Sequence, residues 1–65
     1  MITVNGEQHE QLSVDSLEAL IEHLGLKDLL CAVEVNKTLI PFKERATTTI
    51  KDGDTIEIVS LVGGG

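Results

Sequence analysis

The first apolar residues of the chain alternate with polar ones, as in a strand that has one buried face. Ile2 and Val4 follow this period of two, and Asn5-Gly6 comes directly after them as a strong turn signal. We therefore expect a β-hairpin at the N-terminus, with a return strand that ends near Leu12.

A period of three and four residues follows the hairpin. On a helix, this spacing brings five apolar residues onto one stripe: Val14, Leu17, Leu20, Ile21 and Leu24. This pattern predicts an amphipathic helix of about nine to twelve residues. Ser13, or alternatively Asp15, can cap its N-terminus, and Gly25 stands where a left-handed residue would end it.

Two longer runs in the second half of the chain return to a period of two. Residues 31–36, CAVEVN, predict a strand with Val33 and Val35 on one face. Residues 55–61, TIEIVSL, predict a last strand with Ile56 and Ile58 on one face.

The segment between these two strands contains shorter signals. Pro41 terminates a short segment or confines it to a sheet edge, because proline cannot donate a backbone hydrogen bond. Residues 47–50, TTTI, could add a few strand residues, and Asp52-Gly53 predicts a tight turn.

The predicted order of elements is therefore β-β-α-β-β-β. One helix across one face of a mixed sheet of about four to five strands buries both the helix stripe and one sheet face. This arrangement predicts an α+β protein with a ubiquitin-like β-grasp fold, in which the first and last strands are neighbours at the sheet centre. We expect residues 1–61 to form this domain and residues 62–65 to form a flexible C-terminal glycine tail.

Length and charge restrict the possible functions. A chain of 65 residues forms one domain with a small core, which leaves little room for a deep catalytic cleft. The net charge of −6 makes nucleic acid and anionic membranes poor partners. No stretch reaches the ~20 apolar residues of a membrane span, and there is no signal peptide pattern, so we expect a cytoplasmic protein.

Candidate catalytic and metal-binding residues are few. His9 and His23 have no partners at zinc-ligand spacing, and Cys31 is the only cysteine, so it forms no internal disulfide. Asp52 and Asp54 flank a glycine, which is more typical of a turn than of a cation site. We expect no catalytic residues, no metal and no cofactor, and hence no enzyme of its own.

The C-terminus is the remaining candidate for function. Residues 62–65 can extend about 13 Å beyond the last strand, and glycine has no side chain to block entry into a narrow channel. The terminal carboxylate is ionised at neutral pH and is a poor electrophile, so coupling it to another group requires activation, for example by ATP. A disordered end without function is the alternative that these residues alone leave open.

The sequence resembles the sulfur carrier protein of thiamine biosynthesis over essentially the whole chain. The likeness is carried by AVEVN at 32–36, by Ile40-Pro41 and above all by KDGDTIEIVSLVGGG at 51–65. The hairpin and the helix SLEALIEHLG match that family in order and spacing.

This resemblance implies a function for the tail. In the family, an E1-like ATP-dependent adenylyltransferase adenylates the C-terminal glycine, and sulfur from a cysteine desulfurase pathway converts it to a thiocarboxylate. Thiazole synthase then receives the sulfur. By resemblance, Gly65 would carry the sulfur, Gly64 and Gly63 would form the slender stem, and Val62 and Leu61 would meet the walls of the partner's channel.

One segment departs from the family. Many members have VPR-x-x-W after the third strand, whereas this chain has Phe42 in place of the arginine and Arg45 in place of the tryptophan. No partner-binding role is transferred to this segment by resemblance. From its own chemistry, Phe42 either contacts a partner or folds back over the core.

The last strand also predicts a docking surface. If Ile56 and Ile58 face the helix, Val59 and Leu61 face the other way and form an apolar patch that leads to the tail. The alternative is that neighbouring side chains or a loop cover them.

Three further functions remain as alternatives. The small subunit of molybdopterin synthase shares the fold and the tail chemistry, but it is usually longer and ends in two glycines. A protein-conjugating modifier would use the same tail. A purely non-covalent β-grasp interaction module would not need the terminal glycines.

Overall fold

The computed structural model describes residues 1–10 and 14–61. The predicted order β-β-α-β-β-β is confirmed, with one short 3-10 helix added at Phe42–Glu44. The elements are β1 (Ile2–Val4), β2 (Glu7–His9), α1 (Leu17–His23), β3 (Cys31–Val35), β4 (Thr38–Leu39) and β5 (Thr55–Ser60).

The strands form one mixed sheet in the order β2-β1-β5-β3-β4. β1 and β5 are parallel neighbours, and the other strand pairs are antiparallel. The expected contact between the first and the last strand at the sheet centre is therefore confirmed. The short β4 is an edge strand that ends before Pro41, as the proline predicted.

The core lies between α1 and one face of the sheet. Its fully buried side chains are Leu17 and Leu20 from the helix, Val33 from β3 and Ile56 from β5. Ile58 is buried beside them, so the predicted inward face of β5 is confirmed. Each of these large side chains contributes about 1.5–3 kcal/mol through its burial, which makes this contact the main source of stability.

The helix begins later than its apolar period predicted. Ser16 is the N-cap, with an extended backbone and a side-chain oxygen that accepts a hydrogen bond from the Ala19 N–H at 3.1 Å. The prediction of Asp15 as the alternative cap is therefore wrong, while Ser13 lies outside the described residues. The helix has 7 residues, fewer than expected, and Val14 precedes it.

Tertiary hydrogen bonds explain the late start. The Ile50 N–H donates to the Asp15 carbonyl at 3.0 Å, and the Leu17 N–H donates to the Thr48 carbonyl at 2.9 Å. These bonds hold the residues before the helix in an extended conformation around an isolated bridge between Ser16 and Thr49. The helical period continues through this segment, but the backbone is already paired with another part of the chain.

The end of the helix follows the prediction. Gly25 has a left-handed backbone with a φ of +77°. Its N–H donates to the Glu22 carbonyl at 3.0 Å, and the Leu26 N–H donates to the Ile21 carbonyl at 3.0 Å. These two bonds form a Schellman motif, which satisfies carbonyls that the helix leaves without partners.

Two expectations about strands need correction. β2 ends at His9, so the return strand of the hairpin stops earlier than predicted, and Leu12 lies outside the described residues. Residues 47–50 add no strand, because their only strand-like pairing is the bridge at Thr49.

Replacement of Ser16 by alanine is expected to lower the free energy of unfolding by about 1 kcal/mol, because the Ala19 N–H loses its partner. Denaturation by urea measures this change. Asp15→Ala is the matched control, and its expected loss is below about 0.5 kcal/mol because it removes only a favourable charge near the helix N-terminus. A larger loss for Asp15→Ala than for Ser16→Ala would contradict the assignment of the cap.

Candidate functional site

β5 is the strand that leads to the C-terminal segment, and it is hydrogen-bonded on both sides. It pairs with β1 in parallel and with β3 over the full length from Cys31–Ser60 to Val35–Ile56. Just beyond β5, the Leu61 N–H donates to the Leu30 carbonyl at 2.8 Å. The backbone is therefore held in the sheet up to the last residue that the structure describes.

The beginning of β5 is fixed by Asn36 and Asp54. The buried Asp54 carboxylate accepts hydrogen bonds from the Lys51 N–H at 2.8 Å and from the Asn36 side-chain amide at 2.9 Å. The side-chain oxygen of Asn36 in turn accepts a bond from the Thr55 N–H at 2.9 Å. Asp54 thus organises the tight turn that the sequence predicted before β5.

Farther along β5, Asn5 bonds to the backbone of Ile58. Its side-chain oxygen accepts a hydrogen bond from the Ile58 N–H at 2.7 Å, and its side-chain nitrogen donates to the Ile58 carbonyl at 3.2 Å. The sequence indicated only a turn residue at Asn5. The sequence did not predict the hydrogen bonds between Asn5 and Ile58, because they join residues 53 positions apart.

The outer face of the sheet, opposite the helix, carries an exposed apolar group next to the C-terminus. Val59 and Leu61 are 59% and 55% exposed, which confirms the outward direction predicted from strand alternation. Leu30 is also exposed and is bonded to Leu61 through its carbonyl. We call Leu30, Val59 and Leu61 the outer patch.

Leu30 was not among the residues selected from the sequence. Its signal was the alternation along β3, since Leu30 has the same parity as Ala32 and Glu34, which lie on the face opposite the buried Val33. Ala32 lies opposite Val59 in the sheet and continues the apolar surface between the strands.

The outer patch borders an acidic region of the same face. Glu34 of β3 lies directly opposite Glu57 of β5, and both side chains are exposed. Like charges at directly opposite positions repel each other, so this pair slightly weakens the sheet. The repulsion would be relieved by a cationic group on a partner that covers this face.

Phe42 is exposed, which decides between the two orientations left open by the sequence. Its side chain is 77% exposed and does not fold over the core. The Arg45 guanidinium lies 5.0 Å from the centre of its ring, within the range of a cation–π contact.

Arg45 itself is buried, which the sequence did not predict because arginine is usually exposed. Its Nη2 donates a hydrogen bond of 2.6 Å to the Cys31 carbonyl. Cys31 lies opposite Ser60, so this arginine braces β3 where β3 supports the end of β5. Its Nε has no hydrogen-bond partner among the described residues.

Phe42 and Arg45 also border a shallow depression beside the helix. Its walls mix acidic, basic and apolar groups from α1, from the segment after α1 and from the 3-10 helix. The lining residues are Glu18, Ile21, Glu22, Lys27, Asp28, Phe42 and Arg45.

Two other residues considered from the sequence, Cys31 and His23, have ordinary structural surroundings. Cys31 is buried as a free thiol, and His23 is exposed on the helix. Within residues 1–10 and 14–61, no group of three or more possible metal ligands lies together, and no helix is long and apolar enough to cross a membrane. Val62, Gly63, Gly64 and Gly65 lie outside the described residues.

The fold and the site together define a class of protein. A single helix across a mixed five-stranded sheet, with a central last strand leading to terminal glycines, is a ubiquitin-like β-grasp domain. Residues 2–65 match the sequence profile of the ThiS family, and the chain therefore belongs to that family.

A solved structure supports this assignment. The crystal structure of the thiamine biosynthesis protein ThiS from Geobacter metallireducens superposes with a TM-score of 0.82. The two chains are 28% identical, and the match covers 98% of this chain and 97% of that one.

Relatives in sequence include proteins of different lengths. The ycf40 protein of Porphyra purpurea is 38% identical over 64 residues, which are 98% of this chain and 90% of that protein. A thiazole synthase of Paramagnetospirillum magneticum is 36% identical over 64 residues. The match covers 98% of this chain but only 20% of that thiazole synthase, so the chain spans about a fifth of its length.

Membership in this family confirms the coarse functional prediction. ThiS proteins are small sulfur carriers of thiamine biosynthesis and not catalysts, so this chain is a carrier and not an enzyme.

Arg45→Ala is expected to reduce the free energy of unfolding by about 2–3 kcal/mol, because it removes a charge-assisted hydrogen bond and the packing of the arginine stem. Denaturation by urea measures the loss. Lys43→Ala is the control: this exposed residue precedes Arg45 by two positions, and its replacement should change stability by less than about 0.5 kcal/mol. Equal effects of the two substitutions would contradict a bracing role for Arg45.

Proposed function

We propose that this carrier transports sulfur as a thiocarboxylate on Gly65 and delivers it for formation of the thiazole ring of thiamine. The observation that supports this most strongly is the position of β5. This strand is central in the sheet, is bonded on both sides and leads directly to the terminal glycines.

The proposed chemistry has two steps. The Gly65 carboxylate attacks the α-phosphate of ATP, which releases pyrophosphate and forms an acyl-adenylate. A hydrosulfide ion, which a thiol reductant releases from the persulfide of the desulfurase pathway, then attacks the activated carbonyl carbon. AMP leaves as the C–O bond to phosphate breaks, and loss of the S–H proton gives the thiocarboxylate. Adenylation is needed because a carboxylate that is ionised at neutral pH does not react with a nucleophile directly.

We divide the chain for this function into a domain of residues 1–61 and a tail of residues 62–65. The tail can extend about 13 Å, enough to carry Gly65 into a site inside another protein. Gly64 and Gly63 lack side chains and allow a narrow entry, and Val62 would contact the walls of that entry.

The proposed partners are an E1-like ATP-dependent adenylyltransferase, a cysteine desulfurase pathway as the sulfur source, and thiazole synthase as the acceptor. The similarity to part of a thiazole synthase supports the last of these. Because these reactions use ATP and metabolic sulfur, we place the carrier in the cytoplasm. Membership in the ThiS family favours this pathway over that of molybdopterin synthase, over protein conjugation and over a non-covalent module.

The outer patch is the proposed docking surface for these partners. Val59 and Leu61 present exposed apolar area immediately before the tail, and Glu34 with Glu57 adds negative charge beside it. A complementary partner surface is apolar with a bordering lysine or arginine. The exposed ring of Phe42 is a second proposed contact on the 3-10 helix.

Intact mass spectrometry tests the proposed function. The protein is incubated with ATP, an adenylyltransferase of the ThiS pathway and a sulfur source. We expect a mass increase equal to the replacement of one oxygen by sulfur, located at Gly65 by fragmentation. A chain without Gly63, Gly64 and Gly65 is the control and should stay unchanged. Absence of the shift under conditions that convert another ThiS protein would refute the proposal.

Val59→Thr tests the docking surface without changing side-chain shape. Burying an unpaired hydroxyl costs roughly 1–2 kcal/mol, so we expect KM for the carrier in the adenylation reaction to rise about five- to thirtyfold. Thr55→Val, the reverse exchange at the other end of β5, should leave KM near the wild-type value. An unchanged KM for Val59→Thr would show that the enzyme docks elsewhere.

A further inference from the structure

β5 continues beyond the end of the strand that flanks it on one side. β1 ends at Val4, which lies beside Ile56 in the parallel register, whereas β5 runs on to Ser60. The later part of β5 therefore needs other partners on its β1 side. This part of the strand leads directly to the tail.

The direction of the backbone groups identifies where a partner is needed. The Ile56 carbonyl accepts a bond from the Asn5 N–H at 2.9 Å on the β1 side, and the Leu61 N–H bonds to Leu30 on the β3 side. Because backbone groups alternate sides along a strand, the N–H and carbonyl of Ile58 point toward the β1 side. β1 ends at Val4 and so has no residue opposite Ile58 to bond to these two groups.

The side chain of Asn5 takes the place of that missing residue. Its amide has one acceptor and one donor, as a peptide group has, and it bonds to both backbone groups of Ile58. Asn5 has a φ of +49° and lies in the hairpin turn with Gly6 at +84°. Asparagine tolerates this left-handed conformation better than most residues, so one residue can both form the turn and bond to β5.

We propose that Asn5 is a positioning residue that sets the direction in which the C-terminal tail leaves the sheet. Without its side chain, Ile58 would lose both of its hydrogen bonds to Asn5, and the end of β5 would be held less firmly on the β1 side. The tail would then start from a wider range of directions, and a productive insertion into a partner would be rarer. This inference rests on the proposed function, because it assigns a role in tail delivery.

Asn36 provides a matched comparison within the same chain. It also has a left-handed backbone, with a φ of +51°, and its side chain bonds to the Thr55 N–H and to Asp54. These bonds fix the start of β5, at the end farthest from the tail. A substitution there removes a comparable pair of side-chain hydrogen bonds without releasing the end of the strand.

Asn5→Gly and Asn36→Gly are the variants that test the role of Asn5. Glycine accepts a positive φ, so each variant keeps its turn and loses only its side-chain bonds. Amide hydrogen exchange at Ile58 should become about tenfold faster in Asn5→Gly, the factor expected for losing one hydrogen bond, and should stay near wild type in Asn36→Gly.

The functional measurement is kcat/KM for thiocarboxylate formation on the full chain. We expect a fall of about three- to tenfold for Asn5→Gly, and a value within about twofold of wild type for Asn36→Gly. Asn5→Asp keeps the acceptor for the Ile58 N–H but loses the donor, so it should give an intermediate value. It also serves as the test variant if Asn5→Gly does not fold.

The outcomes separate the two proposals. If the wild-type chain is not converted to a thiocarboxylate, the proposed function fails. If the wild type is converted and the two glycine variants show equal kcat/KM values, Asn5 stabilises the fold only and its positioning role is overturned. A selective loss for the Asn5 variants, together with faster exchange at Ile58, supports that role.

Discussion

The structure depends on the central position of β5. This strand is the last one in the chain, and it bonds in parallel with β1 and in antiparallel with β3. Its Ile56 and Ile58 side chains enter the core under the helix. Both the backbone hydrogen bonds and the apolar burial of the domain therefore converge on the strand that leads to the proposed sulfur-carrying end of the chain.

This arrangement fixes the strand that precedes residues 62–65 of the sequence. In a domain of 65 residues the core is small, and a terminal strand at a sheet edge would fray easily. Here the side chains of Asn36 and Asn5 form hydrogen bonds to the start and the later part of the central strand. Arg45 bonds to the neighbouring strand β3 and so supports the central strand indirectly. The last described residue, Leu61, is thus still bonded to the sheet, which is what the proposed delivery of the terminus to a partner requires.

Much of the fold could be predicted because apolar periodicity and turn residues act locally. A period of two residues identified the strands, and a period of three and four residues identified the helix. Gly25 ends the helix as predicted, because glycine readily adopts the left-handed backbone found there. The helix start could not be predicted, because the residues next to Ser16 are hydrogen-bonded to Thr48 and Ile50, which are distant in sequence. The burial of Arg45 likewise depends on the Cys31 carbonyl, which lies in another element.

The candidate site shows the same division between local and tertiary information. The sequence by itself determined the order of elements, the inward face of β5, the outward direction of Val59 and Leu61, and the family, because each follows from the identity and spacing of nearby residues. Only the tertiary structure decided that Phe42 is exposed and that Asn5 bonds to Ile58. The physical reason is that exposure and long-range hydrogen bonds depend on which distant segments pack together, and no local period encodes that choice.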